Sequence, residues 1–322
     1  MKNFNRRSAI AILGAMAALP VLANDYPNRP VKLVLGYSAG GTMDTIARFY
    51  ASELSRSLGQ PFVVENRSGA NGTLAAQKVV QSPNDGYTLH MTASATQVLT
   101  PMISPSLPYV VERDFIQVAS VAQVPLVMTV DVSHPANTVK EFLTWLKTAR
   151  NPSFGSSGAG QSLHLAGLML QESAGVELTH IPFKGEAPAL TELMGGRIST
   201  VFATRSGAIP LIKANRLKAL AVTDVVRSTE LPNVPTTAEA GVPDIEMKAN
   251  YMFTLKAGTP PSIAKRLEDA ILAIAKDPLT AEKMASLGLT PTAQGAREAE
   301  LMLKREVARF RPLVSKYKIT LE

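Results

Sequence analysis

The strongest constraint on the fold is a repeated order of elements along the chain. An apolar stretch typical of a β-strand is followed by a Gly/Ser-rich loop and then by an amphipathic helix. The order first appears where "PVKLVLG" precedes "YSAGG" and a helix whose apolar stripe includes Ile46, Phe49 and Leu54. Such alternation is typical of α/β folds with a parallel sheet. It therefore predicts a doubly wound α/β architecture.

The same order restarts in the second half of the chain. The apolar stretch "PLVMTV" opens it, and "PSFGSSGAGQS" supplies another Gly/Ser-rich loop before a helix. Because no low-complexity linker separates the halves, we expect two α/β lobes joined by strand crossings near 123–125 and 247–250. The predicted division is a first part of lobe 1 at 24–124, lobe 2 at 125–247, and a second part of lobe 1 at 248–322.

The first residues have the features of an export signal. The basic stretch "MKNFNRR" precedes 16 apolar residues, and Val21 and Ala23 fit the small-residue positions before a cleavage site. We therefore expect a signal peptide at 1–23, cleaved near Ala23, and a protein located in the periplasm. Arg6 and Arg7 leave a twin-arginine route open beside the ordinary secretory route.

Composition excludes several kinds of chemistry. The chain has no cysteine, which rules out disulfides and thiol catalysis, and its 4 histidines lack metal-ligand spacing. The net charge is +7, and without the three basic residues of the signal it is 30 basic against 26 acidic residues. That mild excess suits anion attraction, and no basic run points to nucleic acid. We expect no metal, no cofactor and no nucleic-acid partner.

The loops at the carboxyl ends of the predicted strands are the candidate binding region, because ligands of open α/β sheets bind there. Two of these loops, 36–44 and 155–162, are rich in Gly and Ser and both open a helix. The remaining loops are 66–72, 93–96, 183–186 and 203–207.

Two such loops facing each other would form an anion clamp. A helix N-terminus presents unpaired N–H groups and a partial positive charge, and glycine lets the backbone approach a ligand closely. The alternative interpretation is that both loops are ordinary turns and caps. Thr42 and Thr73 are predicted to cap the helices that follow them.

One motif suggests catalysis. The stretch "GYSAG" fits the G-x-S-x-G pattern of a hydrolase nucleophile elbow, with Ser38 as the nucleophile. No oxyanion motif precedes Ser38, and the last histidine, His180, lies far before the C-terminal region that supplies the base in that fold. A serine hydrolase is therefore the unfavoured alternative, and we expect no enzyme activity.

Motifs spread over nearly the whole chain resemble a known family. They are "AGGTMDTIAR", "ENRSGANG", "NDGYTL", "GSSGAGQSLHLAG", "THIPFKGEAPALTELMGGRI", "LKALAVT", "LPNVPTTAEAGVP" and "AGTPPSIAKRL". In this order they are similar to the Bug-type periplasmic solute receptors of tripartite tricarboxylate transporters. The resemblance implies a two-lobed type II periplasmic binding protein that closes on a small organic acid without chemistry.

The resemblance also implies how the ligand is held and who receives it. One ligand carboxylate would be bound by the loops at 36–44 and 155–162 through backbone N–H groups, Ser and Thr hydroxyls and water. The partner would be a membrane permease. The alternative is that the protein is a sensor receptor, which hands its ligand-bound form to a signalling protein. We expect a monomer. The candidate ligand-binding residues are Tyr37, Ser38, Gly40, Gly41, Thr42, Asp44, Ser94, Thr96, Ser156, Ser157, Gly158, Gly160, Ser162, His164, Lys184, Thr204 and Arg205.

Three departures from the family pattern concern the ligand. Tyr37, Ser38 and Ala39 replace residues that are often Pro or Phe, Leu168 stands where Glu is usual, and Ala203 stands where Asp is common. Losing acidic groups while gaining Arg205 favours a more anionic ligand, so we expect a dicarboxylate or an aromatic acid.

Several candidate residues have two interpretations at this point. Arg205 either binds a second carboxylate or lies solvated at the rim. Asp44 either stabilises its helix N-terminus or orients the ligand through water. His164 is packed or faces the cleft, Lys184 is a rim charge or steers anions, and Tyr37 stacks on the ligand or fills the lobe edge.

Overall fold

Strands and helices alternate along the described residues, which are 26–104 and 106–320 of the computed structural model. The predicted signal peptide and its cleavage site near Ala23 lie outside these residues. The strands are β1 Val31–Leu35, β2 Phe62–Asn66, β3 Thr88–Ala93, β4 Phe115–Asp131, β5 Ser153–Ser156, β6 Thr179–Pro182, β7 Thr200–Thr204, β8 Leu217–Val222, β9 Lys248–Lys256 and β10 Thr290–Gly295. The helices are α1 Thr42–Leu58, α2 Thr73–Gln81, α3 Ser94–Ile103, α4 Val111–Asp114, α5 Val139–Leu146, α6 Ser162–Ala174, α7 Glu186–Met194, α8 Arg205–Lys213, α9 Pro261–Lys276, α10 Pro278–Ser286 and α11 Ala296–Tyr317.

The sheet runs through two lobes in the order β2-β1-β3-β9-β4-β7-β5-β6, and β8 and β10 also pair with β4. Lobe 1 contains β1, β2, β3, β9 and β10, and lobe 2 contains β5 to β8. Strand β4 belongs to both, because its residues 115–125 pair with β9 and its residues 126–131 pair with β7 and β8. The two-lobed α/β fold is therefore confirmed, while the lobe boundaries at 124/125 and 247/248 stay a prediction.

The expectation of a wholly parallel sheet is wrong in one respect. Strand β9 is antiparallel to β3 and β4, and β4 is antiparallel to β7 and β8. These are the strands that cross between the lobes or flank the crossing. The pairs β1–β2, β1–β3, β5–β6 and β5–β7 are parallel, as the strand–loop–helix order requires.

Local sequence explains the first unit of lobe 1. In β1 only Lys32 is exposed, because helices cover both faces of this strand. Helix α1 buries Ile46, Tyr50 and Leu54, which recur every four residues on one face. It ends at Gly59, whose φ of 71° is the left-handed conformation that glycine adopts freely.

Three predictions about helix starts are wrong. Helices α1 and α2 begin at Thr42 and Thr73 themselves, and glycines occupy both N-cap positions without a side-chain cap. The hydroxyl of Thr42 is therefore free to bond elsewhere. The supposed loop at 93–96 is instead the start of α3, because Ser94 follows β3 directly.

The C-terminal region closes lobe 1. Helix α9 buries Leu267 and Ile271 against the lobe, and α11 packs on β4 and α3. Strand β10 interrupts these C-terminal helices and pairs antiparallel with β4. In the described part of the chain, none of the helices has the length and apolarity needed to cross a bilayer.

Candidate functional site

A pocket lies between the lobes, at the carboxyl ends of β1, β3, β5 and β7. The lining residues are Tyr37, Ser38, Gly41, Thr42, Met43, Ala93, Ser157, Gln161, Ser162, Leu163, Gly185, Glu186, Thr204, Ala249 and Tyr251.

Four helices begin at this pocket without a side-chain cap. Their N-cap residues are Gly41 of α1, Ala93 of α3, Gln161 of α6 and Gly185 of α7, and all four line the pocket. The first-turn N–H groups of an uncapped helix lack intrahelical partners and carry partial positive charge. The four helix ends therefore present partial positive charge to the pocket, and no Lys, Arg or His lines it among the described residues.

Tyr37 and Gln161 join the two Gly/Ser loops. The Tyr37 hydroxyl donates to Oε1 of Gln161 at 2.8 Å and lies 2.9 Å from Oγ1 of Thr96. Burial raises the pKa of the Tyr37 phenol above its ordinary value, so it stays protonated. Gln161 is only 3% exposed, and within the described part of the chain its Nε2 has no hydrogen-bond partner. This amide is a buried donor that a ligand acceptor can satisfy.

A second cross-lobe group is built on a buried carboxylate, and we call it the Glu186 cluster: Thr42, Glu186, Thr204 and Ser206. Oε2 of Glu186 accepts from the Thr42 hydroxyl at 3.1 Å and from the Thr204 hydroxyl at 2.8 Å. Oε1 accepts from the backbone N–H of Thr204. Oγ of Ser206 lies 2.8 Å from Oγ1 of Thr42.

The electrostatics of Glu186 reflect its burial. Burial raises the pKa of this carboxyl above its ordinary value, against the hydrogen bonds from Thr204 and Thr42, which favour the charged form. Burial and then the charge of Glu186 raise the pKa of the Tyr251 phenol well above its ordinary value. Tyr251 therefore remains a neutral donor at the pocket wall.

Ser38 has no catalytic setting. Its hydroxyl donates to the backbone carbonyl of Lys184 at 2.8 Å, which ties the first loop to lobe 2. His180, which lies beside the loop 155–162, bonds Ser156 and not Ser38. A nucleophile needs a base within hydrogen-bond reach, and here the partner of Ser38 is a carbonyl.

Several predicted residues support the loops from behind the pocket. Asp44 accepts from the Gly40 N–H at 3.0 Å, from Arg48 at 2.9 Å and from Asn66 at 3.0 Å. Burial opposes ionisation, but the hydrogen bonds from Arg48, Gly40 and Asn66 outweigh it and lower the pKa of Asp44. Asp44 therefore fixes the first loop and does not line the pocket.

The loop 155–162 is held by two stacked histidines, His164 and His180. Nδ1 of His164 accepts from the Gly160 N–H at 2.8 Å, and its ring stacks on His180 with centroids 3.8 Å apart. The Ser156 hydroxyl lies 2.7 Å from Nε2 of His180 and bridges to the backbone of Gly158. His164 and Ser156 are therefore packed residues outside the pocket lining.

The structure separates the candidate residues into groups. Ser94 is buried behind the pocket, and Lys184 and Gly158 lie in a neighbouring cavity at the mouth of the cleft. Arg205 is the clearest departure, because Nε donates to the Gly288 carbonyl and Nη2 to Thr290, both at 3.1 Å. Its guanidinium braces lobe 2 against lobe 1 and is absent from the pocket wall. The predicted residues that line the pocket are Tyr37, Ser38, Gly41, Thr42, Ser157, Ser162 and Thr204.

Sequence analysis missed Gln161, Glu186 and Tyr251. Gln161 and Glu186 stand at helix starts inside loops already singled out, so their position was a usable signal. Tyr251 lies in the middle of β9, where nothing local distinguishes it from a core residue.

Comparison with known proteins identifies the family. A sequence model described as the tripartite tricarboxylate transporter family receptor matches residues 46–319. The chain belongs to this family. The protein is thus a periplasmic solute-binding receptor and not an enzyme, and its resemblance to the Bug-type receptors is confirmed.

Individual relatives agree over nearly the whole receptor. Protein BugT of Bordetella pertussis is 30% identical over 317 residues, covering 96% of this chain and 97% of BugT. The structure titled "R. palustris Rpa4515 with adipate" has a TM-score of 0.89 and 31% identity, covering 92% of this receptor and 99% of that chain. MatC from Rhodopseudomonas palustris, with bound malate, has a TM-score of 0.84 and 28% identity, covering 90% and 100%.

Proposed function

We propose that the receptor captures a small organic acid between its lobes and delivers it to a membrane permease of the tripartite tricarboxylate type. The observation that carries the proposal is the convergence of four uncapped helix N-termini on a pocket lined by Gln161, whose buried Nε2 has no hydrogen-bond partner among the described residues. Fixed, neutral N–H donors bind a carboxylate without needing a cation. The adipate and malate in two related structures support an acid as ligand.

The body of the ligand would lie against an apolar wall. Met43, Leu163, Ala249 and Tyr251 line the pocket beside the donors. A pocket that combines a few polar groups with apolar and aromatic walls suits an acid with a hydrocarbon or aromatic body. Of the two ligand classes expected from the sequence, dicarboxylates and aromatic acids, the wall favours the second.

Calorimetry with a panel of organic acids tests the binding site. Replacing Gln161 with Leu removes the amide donor and leaves an apolar side chain of similar size. A hydrogen bond to a charged group contributes about 1.5–3 kcal/mol, so affinity should fall about 10- to 150-fold. Gln81→Leu, at the exposed end of α2, is the matched control and should bind as the wild type does. Equal affinity in Gln161→Leu would place the carboxylate elsewhere.

Delivery to a permease is tested in cells. Uptake of a labelled ligand should be lost when the receptor gene is deleted and restored by the wild-type gene but not by Gln161→Leu. If uptake persists while ligand-induced gene expression is lost, the receptor serves a signalling protein instead. We also propose a monomer exported with cleavage near Ala23, which gel filtration and N-terminal sequencing of the periplasmic protein would test.

A further inference from the structure

The carboxylate of Glu186 is bound at the N-terminus of α8, as an anionic ligand would be. It accepts the N–H of Thr204, the N-cap residue of α8, and also the Thr204 hydroxyl at 2.8 Å. A Cβ on Gly207 would lie 2.9 Å from all three carboxyl atoms of Glu186, so the carboxylate packs directly on the first turn of α8. The N-terminus of α8, which begins at the pocket, thus already holds a negative group.

The same carboxylate is part of the pocket wall. Glu186, Thr42 and Thr204 all line the cavity on which α1 and α6 direct their N-termini. None of the described residues that line it is Lys, Arg or His, so no side-chain cation neutralises Glu186 there. Arg205, the nearest candidate in sequence, is bonded to Gly288 and Thr290 instead.

A second anion in this pocket would therefore face an uncompensated like charge. Like-charge contacts in desolvated sites typically weaken binding by on the order of 100-fold or more. The carboxylate of Glu186 accepts three hydrogen bonds from the protein, whereas a carboxylate has about four acceptor sites. The wall thus repels a second carboxylate and still offers an acceptor to a hydrogen-bond donor.

We propose that the Glu186 carboxylate takes the place that a second ligand carboxylate would occupy. It thereby selects acids that carry a single carboxylate, with an uncharged or hydrogen-bond-donating far end. The inference rests on the proposed binding function and specifies its ligand class. It replaces the expectation that Arg205 selects dicarboxylates. Thr42 connects the selection to closure, because it bonds Glu186 from the opposite lobe.

The test compares matched acids on the full receptor by calorimetry. The probes are hexanoate with adipate, benzoate with terephthalate, and 6-hydroxyhexanoate as the acid with a distal donor. In the wild type, the monocarboxylate of each binding pair should bind at least about 30-fold tighter than the dicarboxylate. 6-Hydroxyhexanoate should bind at least as tightly as hexanoate. The ratio of monocarboxylate to dicarboxylate affinity in the wild type alone shows which of the two classes the receptor prefers.

Variants then assign the selection to Glu186. Glu186→Gln keeps the size of the side chain but removes its charge, and it should reduce the monocarboxylate preference to about threefold or less. Glu192→Gln is the matched control, since Glu192 lies on the same helix and pairs with Arg197 outside the pocket. It should leave the ratios unchanged. Circular dichroism checks that each variant is folded. If Glu186→Gln does not fold, Glu186→Gly takes its place as the variant without the charge.

Two failures are distinguishable. A wild type that binds adipate or terephthalate as tightly as its monocarboxylate partner overturns the role of Glu186 and leaves the binding function standing. A monocarboxylate preference that persists in both folded Glu186 variants also overturns the role of Glu186 and leaves the binding function standing. A wild type that binds none of these acids, nor any acid of the wider panel, overturns the proposed function and the inference with it.

Discussion

The Tyr37 hydroxyl lies 2.8 Å from Oε1 of Gln161 and joins the first loop of lobe 1 to the first loop of lobe 2. The Gln161 amide is buried, and among the described residues its Nε2 has no hydrogen-bond partner. A single phenol thus joins the two lobes at the amide that we propose as a ligand donor.

Removing that phenol oxygen should weaken binding moderately. Tyr37→Phe deletes the bonds to Gln161 and Thr96 but keeps the ring, and one neutral hydrogen bond contributes about 0.5–1.5 kcal/mol. We expect affinity to fall about 2- to 12-fold in calorimetry. Tyr87→Phe is the control, because the Tyr87 hydroxyl bonds Asn28 on the surface of lobe 1. A loss of the same size in both variants would contradict the coupling.

The contact between Gly158 and Asn71 should control lobe closure. A Cβ on Gly158 would lie 2.1 Å from Oδ1 of Asn71, across the cleft, at a φ of +134°. Gly158→Ala should therefore weaken ligand binding at least about tenfold and keep the ligand-bound radius of gyration close to the unbound value in small-angle scattering.

Gly196→Ala separates closure from backbone strain. Gly196 also has a positive φ, +65°, but no atom lies within 4 Å of its added Cβ. Gly196→Ala should lose about 1–2 kcal/mol of unfolding free energy and keep its affinity, whereas Gly158→Ala, at a φ that only glycine adopts freely, should lose at least as much stability and should also lose affinity. Normal closure in Gly158→Ala would show that the Asn71 contact does not limit the lobes.

Replacing Arg205 should change the affinity for every ligand by the same factor. Its guanidinium donates to Gly288 and Thr290 of lobe 1 and so braces the lobes outside the pocket. Arg205→Ala should change affinity by the same factor for benzoate and terephthalate, by about tenfold or less. Arg216→Ala, at an exposed position, is the control and should have no effect. A selective loss for terephthalate would return Arg205 to the role expected from the sequence.

The histidine stack should make the receptor acid-sensitive. Burial lowers the pKa of His180 from its ordinary 6.5 to about 4, since the charged ring is disfavoured. The unfolded chain therefore takes up a proton near pH 6.5 that the folded protein does not take up until about pH 4. Stability contributed by neutral His180 is present above pH 6.5 and is lost as the pH falls towards 4.

Denaturant unfolding at pH 7 and pH 5 measures this effect. The wild type should lose about 1 kcal/mol more unfolding free energy than His180→Gln between these pH values, since the ring is only partly buried. An NMR titration in which His180 protonates near pH 6.5 would contradict the assignment.

Glu186 should make the free energy of unfolding depend on pH with the opposite sign. Its pKa is raised by burial, so between pH 4.5 and the raised value the folded protein holds a proton that the unfolded chain has released, and above the raised value Glu186 is the charged carboxylate that lines the pocket. The stability from this protonated carboxyl is complete below pH 4.5 and is lost as the pH rises through the raised value. Relative to Glu186→Gln, the wild type should therefore be less stable at pH 8 than at pH 5. A difference that does not vary with pH would show that the carboxyl is ionised throughout.

The sequence by itself determined the local features of this receptor. Hydrophobic periodicity located β1 and α1, and the Gly/Ser composition of 36–44 and 155–162 located the loops that face the pocket. These features depend on residues close together in the chain, and backbone preferences of glycine and side-chain spacing are sufficient to read them.

The tertiary structure alone decided which side chains meet across the cleft. Arg205 bonds Gly288 and Thr290 of lobe 1, and Glu186 bonds the N-terminus of α8 and Thr42 of the opposite lobe. Each of these charged groups could have faced the ligand as far as local sequence is concerned. Their directions depend on partners that folding brings close from distant parts of the chain, such as Gly288 for Arg205 and Thr42 for Glu186. Since a buried charge is stable only where such partners satisfy it, the packed lobes and not the motif determine the charge of the pocket.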